Sequence, residues 1–371
     1  MSGLTIRAKM FIDATYEGDL MALAGVAYRT GRESNSTYGE TFNGVQLRDK
    51  HQFEFAIDPY VIVGDPTSGL LPGVFADEPK ALGDGDYAIQ AYNFRLCLTN
   101  EPEKRMPFPR PRNYDPGQYA LLARYLATGW NKVLGGFGPL VNKKVDLNNN
   151  GAISTDYIWG SHEYPGGHYL NRERIFQDHV SYQQGLLYFL CNDPQVPQGI
   201  RERVSQWGLA RDEFVETDGW PHQLYIREAR RMVSAYVMTE HNVRGTRVVE
   251  DPVSLAAYTM DSHNTRRFVR DGRLWNEGDV QVGGFLPYPI SYRSIIARKS
   301  DCENLLVPIC LSTSHIAYGS IRMEPVFMIL GQSSATAAAL AIDSDSALQD
   351  ISYPALKARL EQDGQVLAWV K

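Results

Sequence analysis

Three histidines sit among groups able to move protons. His263 lies in "MDSHNTRRF", with Asp261, Asn264 and Arg266 beside it; His315 lies in "STSHIAYGSIRMEP"; His222 lies in "WPHQLYIREARR". Imidazole titrates near neutrality. Each is therefore a candidate base, removing a proton from a hydroxyl or amine while hydride leaves for an acceptor. The plainer reading of each is a hydrogen-bonded structural histidine. His315 has the strongest claim, because an apolar helix starts soon after it, near Pro325. Arg322 and Glu324, lying between, either hold substrate or pair with each other. Arg227, Arg230 and Arg231 read as a basic helix face, solvated or ion-paired rather than catalytic.

The helix near Pro325 has features of its own. Proline suits the first helical turn, where its missing N–H costs nothing. Gly331, Ala335 and Ala339 recur every fourth residue, leaving a side flat enough for another backbone or a flat ring. The helix start carries free N–H groups and partial positive charge. A reduced flavin is negative along its N1–C2=O2 edge, and a helix start aimed there would stabilise it by roughly 0.3–2 kcal/mol. A core helix using small residues for close crossing is the competing reading. At the other end of the chain, "MFIDATYEGDLMALAG" reads as a short strand, a tight turn and a helix start, a layout that suits a nucleotide cofactor.

Periodicity supplies the elements that must position these groups. Residues 5–13 read as a strand, with Asp19 capping a helix over "LMALAGVAY". Residues 35–115, rich in Gly, Pro, Asp and Tyr, read as loops and short strands. Within them "EPEKRMPFPRPRNYDPG" reads as a surface excursion or lid. A helix is expected over 116–128, and residues 171–241 read as the most helical part, with a second helix there beginning at Pro221. Residues 279–299 and 304–312 read as strands, about 325–341 as a long buried helix, and the tail as one amphipathic helix. No internal repeat is visible.

Composition excludes several classes. The 371 residues carry 37 Lys and Arg against 43 Asp and Glu, a net charge of -6, which argues against a general nucleic-acid binder. The four cysteines form no C-x-x-C pair, so they read as buried thiols rather than a metal site or disulfide framework. "DLNNNGAISTDY" imitates a calcium loop but places Tyr157 where a bidentate Glu is needed, and local Asn turns fit it better. No metal ligand set is expected. No signal peptide and no membrane span stand out, so cytoplasmic residence is the default expectation. Hydrolase, zincin and P-loop motifs are absent from the sequence.

Several long stretches resemble one family. "AKMFIDATYEGDLMALAGV", "GRESNSTYGETFNGVQ", "DLNNNGAISTDY", "WPHQLYIREARRMVSAYVMTE", "DSHNTRRF" and "GSIRMEPVFMILGQSSATAAALA" are similar to the FAD-dependent oxidoreductase family of bacterial flavoproteins, sometimes labelled xanthan-lyase-related. The resemblance runs from about residue 5 to about 368. It implies an α/β fold: a partial, Rossmann-like FAD/NAD(P)-binding domain of glutathione-reductase type (1–45 and 300–345), an inserted α+β substrate domain (46–299) and a C-terminal helix (346–371). It implies FAD beside Ala14, Thr15, Glu17, Gly18, Asp19, Gly319, Ser320, Met323, Pro325 and Gly331. It places substrate near Asn148, Asn150, His222, Tyr225 and Asn264, with His315, His263, Arg322 and Glu324 as catalytic candidates. The substrate would be small and polar, a sugar or polyol being one such class.

The family's opening strand, glycine-rich turn and helix, which cradle pyrophosphate, have no counterpart here. The resemblance therefore implies a shortened chain whose phosphate loop lies upstream of Met1. Either a separate polypeptide would then supply the missing half, the fold would have repacked, or affinity for FAD would be largely lost. An export signal upstream would change the expected compartment. The alternatives are a non-catalytic module binding carbohydrate or protein, or an inactive fragment unable to hold FAD alone.

Overall fold

A computed structural model describes residues 3–369. The chain opens with β1 (Phe11–Ile12), α1 (Asp19–Leu23), β2 (Tyr28–Arg29) and the one-turn α2 (Asn35–Tyr38). The strand expected over 5–13 is thus two residues long, and α1 stops after five. Asp19 does not cap it. Asp13 does that work, its Oδ2 accepting from Met21 N at 2.9 Å, because the Asp19 carboxylate is taken by arginines.

The middle of the chain contains β3 (Leu96–Thr99), β4 (Arg105–Met106), α3 (Ala120–Ala127), β5 (Phe137–Leu140) and β6 (Lys144–Leu147). Next come α4 (Tyr169–Asn192), α5 (Gln198–Val204) and β7 (Gly208–Ala210). The five strands form one antiparallel sheet in the order β4-β7-β3-β6-β5. The proline-rich excursion is therefore anchored: its β4 pairs with β7, and its Phe108 is buried. In α4 the residues Ile175, His179, Gln183, Leu186 and Leu190 recur at near-helical spacing and turn inward. Ile175, Leu186 and Leu190 join Phe94, Leu96 and Leu98 of the sheet side, and Leu122 and Tyr125 of α3, in the larger hydrophobic core.

Beyond β7 the structure departs from the sequence reading. The helix expected from Pro221 does not form: the segment is irregular, with an isolated bridge from Tyr225 to Asn93, and leads to β8 (Arg231–Met232) and the single-turn α6 (Glu240–Val243). Its three arginines are buried, not solvated, and each is held by carboxylates on other elements. Outside a helix these arginines are not held to one face, so they can reach partners in different directions.

The remainder comprises β9 (Pro252–Ala256), β10 (Met260–Ser262), β11 (Arg266–Arg270), β12 (Arg273–Glu277), β13 (Val280–Val282), β14 (Tyr288–Ser291) and β15 (Leu305–Leu306). Three helices close the chain: α7 (His315–Ile321), α8 (Glu324–Asp343) and α9 (Tyr353–Gln362). The strand expected over 304–312 is only the two residues of β15, and α7 was not anticipated. Small antiparallel pairs join β9 to β14, β10 to β13 and β11 to β12. A second core gathers residues from Tyr236 to Leu367, including Val326, Phe327, Leu330, Ala337 and Ala341 of α8. The helix α8 is long and apolar enough to cross a membrane, but one face of it packs into this core while Met328 and Ile342 on the other remain exposed. The architecture is mixed α/β with several small sheets.

Candidate functional site

The two ends of the chain meet in a parallel pair. Phe11 registers with Leu305 and Ile12 with Leu306, and Asp13 N donates to Leu306 O at 2.8 Å. Asp13 then shapes the bend. Its Oδ1 accepts from Thr15 N (3.1 Å) and Oγ1 (2.6 Å), and Thr15 Oγ1 accepts from Gly18 N at 3.0 Å. Ala14 and Thr15 are left exposed, as are Glu324 and Pro325 at the start of α8. Tyr16 links the two, its ring edge-on to Phe327 at 6.0 Å.

Glu17 and Asp19 serve as anchors. Glu17 Oε1 accepts from Tyr164 O–H at 3.0 Å, and its carbonyl accepts from Arg230 at 2.9 Å. Asp19 receives Arg172 (2.6 and 2.9 Å) and Arg230 (2.6 Å). Burial pushes the Asp19 carboxyl up, but the two guanidinium groups outweigh it and hold the pKa below the usual range.

A chain of alternating charges runs from Arg227 to Arg322. His263 Nδ1 lies 2.7 Å from Asp156 Oδ2, and Nε2 lies 3.5 Å from Asp261 Oδ2. Asp156 also pairs with Arg227 at 3.0 Å, and Asp261 with Arg322 at 2.9 Å. Arg322 thus pairs across to β10, not with Glu324. Burial and the Arg227 charge push His263 down, yet the two carboxylates win and raise its pKa above the ordinary value. Burial would likewise raise Asp261, but His263 and Arg322 hold it well below the carboxylate range. The sequence of partners ends at Arg322, two residues before α8.

A polar rim borders this chain. Arg95 pairs with Asp146 and lies 5.2 Å over the Tyr225 ring, with Arg227 5.4 Å from the same ring. Asn148 Oδ1 accepts from Arg227 Nη2 at 3.3 Å. Tyr258 is exposed, and partial burial and the Asp261 charge raise its phenol. Asp146 and Asp156, the two acids of the calcium-like loop, are therefore spent on different arginines. Among the described residues no group of three or more acidic, histidine or cysteine ligands is placed to hold a metal. All four cysteines are free, with Cys97 and Cys310 buried.

Other candidates lie elsewhere. His315 is fully enclosed in α7: Nδ1 meets Glu228 at 2.7 Å and Nε2 meets Ser262 Oγ at 3.1 Å. Burial lowers it to about 3, which leaves it neutral and without a free nitrogen. His222 is exposed and packs edge-on to Phe214. Asn150 is exposed, whereas Asn264 is buried with an unpartnered Oδ1. Ser320 is buried between Tyr288 O–H, at 2.7 Å, and the Tyr258 carbonyl. Met323 is half-buried as the residue preceding α8, and Gly331 faces open space.

Gly319 is a packing residue in this structure. A Cβ there would sit 2.6 Å from Asp261 O, so only glycine lets α7 lie against β10. Gly319→Ala must push that backbone aside. It is expected to cost about 1–3 kcal/mol by overpacking, read as a lowered urea midpoint at unchanged slope.

Sequence reasoning does not reach Arg95 or the role of Asp156, and it reads Arg227 as solvated or ion-paired on a helix face, of which the ion pair holds and the helix does not. The one available signal was "TDY" closing the Asn-rich loop, where Asp156 was weighed only as a misplaced calcium ligand. Comparison with known proteins gives one match: a family model described as FAD dependent oxidoreductase covers residues 2–360. No curated protein and no solved structure matches.

Proposed function

Because this chain belongs to the FAD-dependent oxidoreductase family, we propose that its two ends frame the isoalloxazine end of FAD and that His263 handles the substrate proton. The observation carrying this reading is the β1–β15 pairing, which sets the exposed Ala14–Thr15 bend beside the exposed start of α8. The surroundings suit a flat ring: Gly331 has nothing within 4 Å of its missing Cβ, and Arg322 Nε has no partner. FAD, the cofactor this family implies, supplies the two-electron acceptor. The start of α8 contributes its dipole, and the Asp13 bend keeps Ala14 and Thr15 in place. His263, steadied at Nδ1 by Asp156, accepts the proton of a small polar alcohol or amine, sugar-like compounds included, at Nε2, which has Asp261 beside it at 3.5 Å and is otherwise without a hydrogen-bond partner among the described residues. Tyr16, Tyr225, Tyr258 and Arg95 orient that substrate.

The pyrophosphate is a separate matter. No glycine-rich strand–turn–helix occurs in the chain, so these residues do not form a phosphate cradle. Among the described residues β1 pairs only with β15, and Ile12, Leu23, Met328 and Ile342 are exposed. That open edge and apolar surface support packing of a phosphate-holding unit, from another segment or polypeptide, against β1 and α8. In this reading residues 1–45 and 300–345 are the Rossmann-like portion and 46–299 the substrate domain.

Titrating the purified chain with FAD tests the proposal. Saturable quenching of flavin fluorescence is expected. Ala14→Trp, at an exposed position, should weaken it at least about tenfold without altering the melting temperature. A chain that binds no FAD at about millimolar concentration, with or without an added phosphate-binding segment, would refute it.

A further inference from the structure

A pocket of about 200 Å³ opens between α3, residues 153–160 and the Pro72–Phe75 turn. Its walls are aromatic: Tyr119, Tyr157, Tyr182, Phe75 and Trp159 all contribute. Arg267 also lines it, and that side chain belongs to a residue only 7% exposed. Nε of Arg267 donates to Asn276 Oδ1 at 2.9 Å and Nη2 to Ala152 O at 2.7 Å. Among the described residues Nη1 has no hydrogen-bond partner and no carboxylate lies within ion-pair distance of this guanidinium, which lies over the Phe53 ring with Cζ 5.4 Å from its centroid. A buried cation without a counter-ion is costly, and proteins seldom keep one unused. Burial depresses Arg267 to about 10, and the neighbouring Tyr182 phenol offsets it only partly.

Asp156 is the carboxylate in the lining, and it is already neutralised by Arg227 at 3.0 Å and His263 at 2.7 Å. The pocket therefore keeps one unbalanced positive charge at Arg267. A second observation points the same way. Trp159 is held at φ 77°, a left-handed conformation that bulky residues avoid, with its ring 4.3 Å from Phe75 and 4.1 Å from His162. The next residue, Gly160, has no room for a side chain: a Cβ would meet the Tyr157 ring at 2.5 Å. Backbone strain is accepted here to set rings around the cavity.

We infer that this pocket binds a small planar carboxylate, its anionic end on the free edge of Arg267 and its flat body among the aromatic rings. A guanidinium edge matches a carboxylate, and aromatic walls favour a flat apolar body over an extended polar one. The cavity is sized for a single ring. The inference does not depend on flavin binding, so its failure and that of the reading above are separable.

Benzoate is the probe, titrated into the full chain by calorimetry and tryptophan fluorescence, with benzamide as the uncharged control. Benzoate should saturate one site and bind at least about tenfold more tightly than benzamide. Arg267→Met should abolish that preference while the protein stays folded, because the change removes an uncompensated buried charge. Arg267→Lys should retain part of it. Equal affinities for the two probes in the wild-type chain, no binding at about 10 mM, or full benzoate affinity in Arg267→Met would each overturn the assignment. The comparison of probes on the unaltered protein decides the matter even if a variant fails to fold.

Discussion

Replacing Arg231 with methionine is expected to destabilise the protein by about 3–5 kcal/mol, enough to unfold a domain of ordinary stability. Arg231 is fully buried and bonds Glu33 at 2.8 Å, Glu228, and the carbonyl of Gly31 at 2.7 Å. Glu228 further holds His315 and Gln90, and Glu33 accepts from His315 N. Losing the cation leaves two carboxylates with no charge to balance them, in a place water does not reach. The penalty comes from that stranding more than from the worth of the original pair. Glu33→Gln combined with Arg231→Met should therefore recover part of the loss in a double-mutant cycle followed by urea melts. Burial pushes Glu33 up, but Arg231 and the His315 N–H bond pull it lower still, to about 2. A depressed carboxyl contributes stability above its unfolded pKa, here 4.5, and loses it as pH falls towards 2. In Arg231→Met burial acts on Glu33 without that counter-charge, and the sign reverses. The gap between wild type and variant should narrow as pH drops from 7 to about 4.

The same network shows what a linear reading can and cannot reach. Helices α3, α4, α8 and α9 were legible because an apolar stripe at 3.6-residue spacing is a local signal, and packing then uses it. The segment from Pro221 carries that stripe too, with Ile226, Ala229 and Met232 all buried, yet it is not a helix. Arg227, Arg230 and Arg231 decide the matter through Asp156, Asp19 and Glu33, partners from distant parts of the chain. Propensity is worth tenths of a kcal/mol per residue, and several buried ion pairs override it. Asp19 failed as a cap for the same reason. The histidines show the limit for sites. Nothing local distinguishes His315, sealed in α7, from His263, which meets a carboxylate 107 residues away. The joining of the chain ends was legible only through family resemblance. Arg267 gave no signal, since a buried cation without an anion is visible only once its surroundings are known.

Substituting His263 with asparagine is expected to slow substrate-dependent flavin reduction by roughly 10²–10⁴-fold, the usual worth of a positioned base. An amide can still donate to Asp156 from near the Nδ1 position, so the loss should fall on rate rather than on fold. The pH profile separates a base from a scaffold. Burial lowers His263, but Asp156 and Asp261 raise it by more, so the imidazolium persists above its ordinary 6.5. A group raised in this way contributes stability that is complete below 6.5 and fades as pH rises through the folded-state value. Activity should run the opposite way, because only the neutral ring accepts a proton. Flavin reduction in the wild type should climb through a pKa above 6.5, and Asp261→Asn, which removes one of the two anions, should move that limb downward. His263→Asn should lack the limb entirely. If His263 merely braces Asp156, the variant will melt earlier while keeping the wild-type rate and profile, and the base must then be sought at the exposed rim, with Tyr258 first.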